Sequence, residues 1–330
     1  METTDNHLLK LLEKIGEIHA PPTQPKLGHP YDYSELVMLK VFLLMILKKI
    51  KQFTALYRYL SAHPEMRSAC GLVQMPDEST IRKRLKQLAP TLKRQIRAWS
   101  REVLKQAAES AEVVAVDKKM IEAQGPLWHV SDRKQNKIPD RLRGVDRDST
   151  WSRSAYRGWV QGYGLHLAVN ATPGGLIVPV WAEVTTNSTA EAKVASELEA
   201  ELPTDTKRVL GDESYDDPEL RARLVRYQNH LLERALLVPI EVKERTPGQR
   251  RREANRYQRE RRLYRRRRVS IEPFFDRLDQ VFGIEPTWMK GLANNRSIGL
   301  LWVAGYLLLM LHQIAQGVNP EHVKQLIDIL

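Results

Sequence analysis

The order of patterns along the chain predicts an α/β fold, a mixed sheet flanked by helices, preceded by an all-helical N-terminal region. Three observations carry this expectation. Residues 1–110 show only helix-type spacing of apolar residues. From Glu112 onward, short apolar runs of strand length alternate with helical stretches, the layer pattern of an α/β domain. Two of those runs end in an acid, at Asp117 and Asp212, and a third acid, Glu272, flanks an amphipathic helix. The expected division is 1–110 helical, 111–295 α/β, and 296–330 a C-terminal helix packing on the core.

Within the helical region, His7 to Ile18 is amphipathic and is broken by Ala20-Pro21-Pro22 and Pro25. Tyr33 to Ile50 is rich in apolar residues, and Phe53 to Ala62 and Glu65 to Cys70 follow, stopped by Pro64 and Gly71. Asp77 or Ser79 can cap the next helix, whose Ile81 and Leu85 have core spacing. Arg82, Lys83 and Lys86 then point outward, as on the second helix of a helix-turn-helix, where such side chains enter a DNA groove. Thr91 to Ser110 closes the region.

The α/β part opens with the strand Val113–Asp117. Residues 122–160 have no periodicity and read as a long loop rich in Arg, Lys, Asp and Gly, with Trp151 and Trp159 as packing anchors or base-stacking platforms. Tyr163–Asn170 and Leu176–Val184 read as a hairpin around Pro173-Gly174-Gly175, and Thr189–Leu202 as a helix. Arg208–Asp212 is a further strand, Asp217–Asn229 a helix, and Leu236–Ile240 another strand. Eleven arginines fall between Gln249 and Arg268. Ile271, Phe274, Phe275, Leu278, Val281 and Phe282 then recur at about 100° per residue, one face of a helix.

The chain has 330 residues, with 52 Lys plus Arg against 40 Asp plus Glu, a net charge of +12. A polyanion, nucleic acid before membrane surface, is the expected partner. One cysteine, Cys70, leaves no disulfide framework and no thiolate zinc site, which fits a reducing, cytoplasmic setting. METTDNHLLK does not read as a signal peptide. Ile298–Leu311 is uncharged over 14 residues, short of the roughly 20 that a membrane span needs, so it reads as a buried helix. No membrane and no small-molecule substrate is expected. Two strand-end carboxylates and one from a packed helix can meet at a sheet edge, and all-oxygen ligands select Mg²⁺ or Mn²⁺.

Four segments, in order, resemble the DDE transposases of bacterial insertion sequences, within the groups conventionally numbered four and five. They are VVAVDKKMI, GYGLHLAVN, VLGDESYDD and RRRRVSIEPFFDRLDQVFG. The resemblance spans roughly residues 30–315. It implies a ribonuclease-H-like catalytic domain at 111–295, with the long loop 122–160 and the Arg-rich segment 249–268 inside it, and a DNA-binding or dimerising region at 1–110. It implies cleavage at terminal inverted repeats and transfer of the freed 3′-OH into target DNA, by a homodimer with two metal ions per site. Asp117, Asp212 and Glu272 take the family's acidic triad, as catalytic residues and metal ligands. Arg268 takes the place of the family's phosphate-contacting Arg, with Arg265 and Tyr264 beside it on the DNA side. Tyr264 stands one residue further from Glu272 than is usual. Pro273 and Asp279 stand where the family often has basic residues, and Pro273 predicts a non-helical Glu272. The resemblance also implies a bacterial, nucleoid-associated protein. The other reading is a DNA-binding derivative of a transposon copy that no longer cuts.

Overall fold

In the computed structural model the described residues are 4–22, 32–140, 142–195, 197–226 and 234–330. Among these residues six helices precede the sheet: α1 (Thr4–Ile18), α2 (Glu35–Leu47), α3 (Phe53–Ala62), α4 (Pro64–Cys70), α5 (Glu78–Lys86) and α6 (Ala89–Gln106). The all-helical N-terminal region is therefore present. Pro64 is the first residue of α4, where its missing N–H costs nothing. Gly71, at φ 81°, ends that helix in the left-handed conformation that favours glycine. Ser34 caps α2, its Oγ accepting from Val37 N at 3.2 Å. From Met38 to Leu47 all of α2 but Lys40 is buried, as expected of a helix apolar on every side.

Glu35, at the start of α2, ties the helical layer together. It accepts from Thr91 Oγ1 at 2.8 Å, pairs with Arg94 of α6, and lies 3.4 Å from His19 Nε2. Burial alone pushes its carboxyl up, but the hydrogen bonds from His19, Arg94 and Thr91 outweigh it and hold the value down at about 2. A depressed folded pKa stabilises the fold above the ordinary value of 4.5, and that contribution is lost as pH falls towards 2. Glu35→Gln is expected to lower stability at pH 7 by about 1–2 kcal/mol, allowing for partial exposure. Melting curves of wild type and variant should converge between pH 4.5 and about 2. A gap that stays constant across that window would refute the assignment.

Among the described residues the sheet has six strands: β1 (Val113–Glu122), β2 (Thr150–Ser154), β3 (Gly158–Asn170), β4 (Pro179–Thr186), β5 (Arg208–Leu210) and β6 (Ala235–Leu237). β3 runs antiparallel to β1 on one side; on its other side its first half pairs with β2 and its second half with β4. β5 is parallel to β1, and β6 to β5. This mixed α/β architecture is the one expected.

Several elements differ from expectation. β1 does not stop at Asp117. The long β3 supplies partners out to Glu122, opposite Gly162, so the strand continues through Lys118 and Lys119. Lys118 sits inside because Glu191 pairs with it. The segment expected to be all loop contains α7 (Val130–Lys134) and β2. The single helix expected over 189–202 is two short ones, α8 (Glu191–Ala195) and α9 (Leu198–Glu201). α10 covers Pro218–Arg226; the rest of the helix expected to Asn229, and Pro25, lie outside the described residues. The Arg-rich run is helical as α11 (Gly248–Arg259), α12 (Arg261–Tyr264) and the start of α13 (Arg266–Phe282). Glu272 is inside α13, contrary to the expectation from Pro273. Burial of Ile271, Phe274, Phe275 and Leu278 outweighs the one helical bond that Pro273 forgoes.

α14 (Leu292–Ala315) is the core helix, followed by α15 (Val323–Ile329), which no sequence pattern announced. α14 is long and apolar enough to cross a membrane, and its most apolar stretch is 89% buried inside the protein. It packs chiefly on α6 and β4, and also on α2 and α5. Gly299 allows the close approach to β4, since a Cβ there would lie 2.5 Å from Val184 Cγ2. Ser297 Oγ donates to Leu85 O of α5 at 2.6 Å. At the same interface Glu183 of β4, 3% exposed, accepts from Arg296 Nε of α14 at 2.7 Å and pairs with Lys93 of α6.

Candidate active site

Register places the two aspartates together. On the parallel strands β1 and β5, Ala115 pairs with Leu210. Asp117 and Asp212 each stand two residues beyond that pair, at the same end of the two chains. Asp117 is mid-strand, while Asp212 lies just past its strand and turns the backbone. Its Oδ1 accepts from Ser214 N at 2.9 Å, starting the one-turn helix Glu213–Tyr215. Tyr215 folds back so tightly that a Cβ at Gly211 would sit 2.8 Å from its own Cβ. Its side chain is fully buried and packs, with the phenol pushed up by burial and by the nearby Asp117, Glu191 and Asp212.

α13 lies across β1 and brings the third acid. Glu272 is 51% exposed, on an outer stripe with Arg265, Arg268 and Asp276. Arg268, 83% exposed, reaches back to it, Nε to Oε2 3.7 Å. Arg265 is exposed beside it. Tyr264 is half-buried, edge-on to Tyr257 with ring centroids 5.0 Å apart. On α5, Lys83 and Lys86 are exposed. Arg82 is also exposed, but it donates to Glu78 at 2.9 Å and lies 4.8 Å over the Phe53 ring.

The group that sequence reasoning missed is Arg267. Its Nη2 is 2.8 Å from Asp117 Oδ2 and 3.8 Å from Asp212 Oδ2, and its Nε donates to Val116 O at 3.4 Å. The signal was available: Arg267 precedes Ile271 by four and Phe274 by seven, so it shares the inward face. Either Asp216 or Asp217 is placed by sequence to cap the next helix, and Asp216 does not do so. It is spent instead on Arg221, at 2.7 Å, and on Arg250, at 2.6 Å, anchoring α11 beside the Asp212 turn. Asp217 makes the cap, accepting from Leu220 N at 2.8 Å. His166 is buried, its Nε2 2.9 Å from Thr185 Oγ1, and burial lowers it to about 3, so it is a neutral sheet residue. Trp151 is an anchor, donating to Trp128 O at 2.7 Å, while Trp159 is exposed.

Burial raises Asp117 to about 6; Arg267 and the Lys118 N–H pull it down, and Asp212 and Glu272 push it further up. The three acids thus share one electrostatic neighbourhood. Among the described residues, no three His, Cys, Asp or Glu side chains are grouped closely enough to hold a metal ion. Two of the acids do converge on a single positive point, because one guanidinium nitrogen lies between Asp117 and Asp212. The donor chemistry at that point, hard carboxylate oxygen, suits a divalent ion.

The family model described as the transposase DDE domain matches residues 108–308, more than half of the chain and all three acids. The chain belongs to that family. A second model, described as a transposase domain, matches residues 3–87, over the helical region of this transposase-family chain. No curated protein matches it. Among solved structures, a piggyBac transposase synaptic complex with hairpin DNA is similar over 98% of this chain and 75% of that one, at 8% identity and a TM-score of 0.39.

Proposed function

We propose that the chain is an insertion-sequence transposase of the four/five-like groups that cleaves DNA at terminal inverted repeats and joins the freed 3′ ends to target DNA. One observation carries the reading: within a chain of the DDE family, Asp117 on β1 and Asp212 just past the parallel strand β5 converge on one guanidinium nitrogen of α13, the helix that also carries Glu272. The sheet is then ribonuclease-H-like, and 111–295 is the catalytic domain. Mg²⁺ or Mn²⁺ held by Asp117, Asp212 and Glu272 would polarise the phosphate and activate the attacking oxygen. The chain's own side chains position the substrate. Arg265 and Arg268 present exposed guanidinium groups to the phosphates beside Glu272, and the α11 arginines extend that charge. Lys83, Lys86 and Arg82 place a second basic surface on α5. Two such chains holding two element ends, in a bacterial cytoplasm close to the nucleoid, complete the reading.

A second reading has its own support. Asp279, where the family often has a basic residue, is used structurally: its Oδ1 accepts from Ile284 N at 3.0 Å. This use of Asp279 favours a copy that binds DNA without cutting. One experiment separates the two. The full chain is incubated with duplexes carrying the element's ends, with Mn²⁺ or EDTA. Ion-dependent nicks at the repeat boundary support the transposase; binding without nicks supports the second reading.

Both readings predict binding that weakens steeply with salt. Lys83→Ala with Lys86→Ala should lower the slope of log affinity against log salt by about 2, at roughly 0.9 per phosphate contact. An unchanged slope in fluorescence anisotropy would remove α5 from the interface.

A further inference from the structure

Arg267 and Arg268 are neighbours with opposite fates. Arg268 is 83% exposed, on the outer stripe of α13. Arg267 is 14% exposed, turned under the helix, with Nη2 against Oδ2 of both aspartates and Nε on the carbonyl of Val116. A guanidinium is always charged, planar and weakly hydrated, so it tolerates this partly buried place better than an ammonium. It also lies where any cation serving both carboxylates must come. A divalent ion and a guanidinium cannot share those oxygens without strong mutual repulsion. Each must therefore lower the apparent affinity of the other, since an ion can take only the fraction of chains in which the oxygens are free.

We propose that Arg267 is a positioning residue that acts as an internal counter-cation. In the ion-free chain it draws the carboxylates of Asp117 and Asp212 to one point, and a divalent ion displaces it when it takes them. The proposal rests on the metal-binding reading of the triad given above.

The test is Mn²⁺ binding to the full chain, read from the electron paramagnetic resonance signal of free Mn²⁺. Arg267→Ala is expected to bind Mn²⁺ at least tenfold more tightly than wild type. Arg267→Lys should fall between them, because one ammonium can still compete for the same oxygens. Asp117→Asn should abolish the tight site. A residue with a purely structural role would leave the affinity unchanged or weaken it when removed, and either result overturns the proposal. Wild type alone provides a second measurement that needs no variant to fold. Phenylglyoxal modification, mapped by peptide mass spectrometry, should rise several-fold at Arg267 on adding Mn²⁺ and stay constant at exposed Arg252. Continued protection of Arg267 at saturating Mn²⁺ also overturns it. If wild type binds Mn²⁺ and Arg267→Ala binds no tighter, the counter-cation role falls alone. If neither binds, it falls together with the metal reading of the triad.

Discussion

Asp117→Asn is expected to abolish ion-dependent DNA cleavage while leaving DNA binding within about twofold. The variant keeps the shape of the side chain and the bond from the Lys118 N–H to Oδ1, 2.9 Å in the parent. What it removes is one negative charge at the point where β1, β5 and α13 meet. A bound ion supplies several kcal/mol of transition-state charge stabilisation, and each 1.4 kcal/mol is a factor of ten, so a loss of about 10³-fold or more follows. Asp212→Asn should match it, since both carboxylates converge on the same point, 2.8 and 3.8 Å from Arg267 Nη2. Glu272→Gln is the informative contrast. Glu272 is half-exposed and its near partner is Arg268, not the aspartate pair. A loss as large as that of Asp117→Asn would mean that Glu272 joins the pair when the ion and DNA are present. A small loss would confine the ion to the two aspartates. Gel assays of nicking with Mn²⁺, beside anisotropy for binding, measure both; cleavage by Asp117→Asn within tenfold of wild type would sink the active-site assignment.

What could be read from residues alone follows a physical line. Features set by local pattern were legible. The stripe Ile271, Phe274, Phe275, Leu278, Val281 and Phe282 is buried throughout, because helical phase decides it. α2 and the apolar run in α14 were legible because a helix apolar on every side has only the core to occupy. The strands leading to Asp117 and Asp212 were visible as short apolar runs, but that the acids come together depends on pairing β1 with β5 across a long stretch of sequence. Features decided by a distant partner were hidden. Lys118 belongs to a strand only because β3 runs on beside it and Glu191 meets its charge. β2 alternates too weakly to show, and exists as the partner of β3. In the Arg-rich run, composition could not say which arginine turns inward. The phase of the following apolar stripe could have, and it selects Arg267.

Glu183→Ala is expected to cost about 3 kcal/mol of stability, the largest single loss predicted away from the acids. Glu183 is 3% exposed, on β4 opposite His166, which is neutral and offers it no charge. Its compensation comes from two other layers, Lys93 on α6 and Arg296 on α14. Burial pushes its carboxyl up, and the hydrogen bonds from Arg296 and Lys93 hold it below the usual range. Removing the acid leaves two cations facing each other over a small void, and breaking such a buried pair costs roughly 3–5 kcal/mol. The lower figure applies here because Lys93 keeps Glu197, at 3.2 Å, and Arg296 keeps access to water. Against a total stability of about 5–15 kcal/mol that is a large share. Glu183→Gln should lose less, since an amide still accepts from Arg296. Urea unfolding at constant slope measures both, and a loss under about 1 kcal/mol for Glu183→Ala would refute the argument. The sign with pH is fixed as well: a lowered folded pKa means the wild-type advantage is present above the ordinary value of 4.5 and fades in acid below it. The same contact joins the helical layer to the sheet that carries Asp117 and Asp212. Glu183→Ala should therefore lose cleavage only as it unfolds, in step with its melting curve, whereas Asp117→Asn should lose it while fully folded.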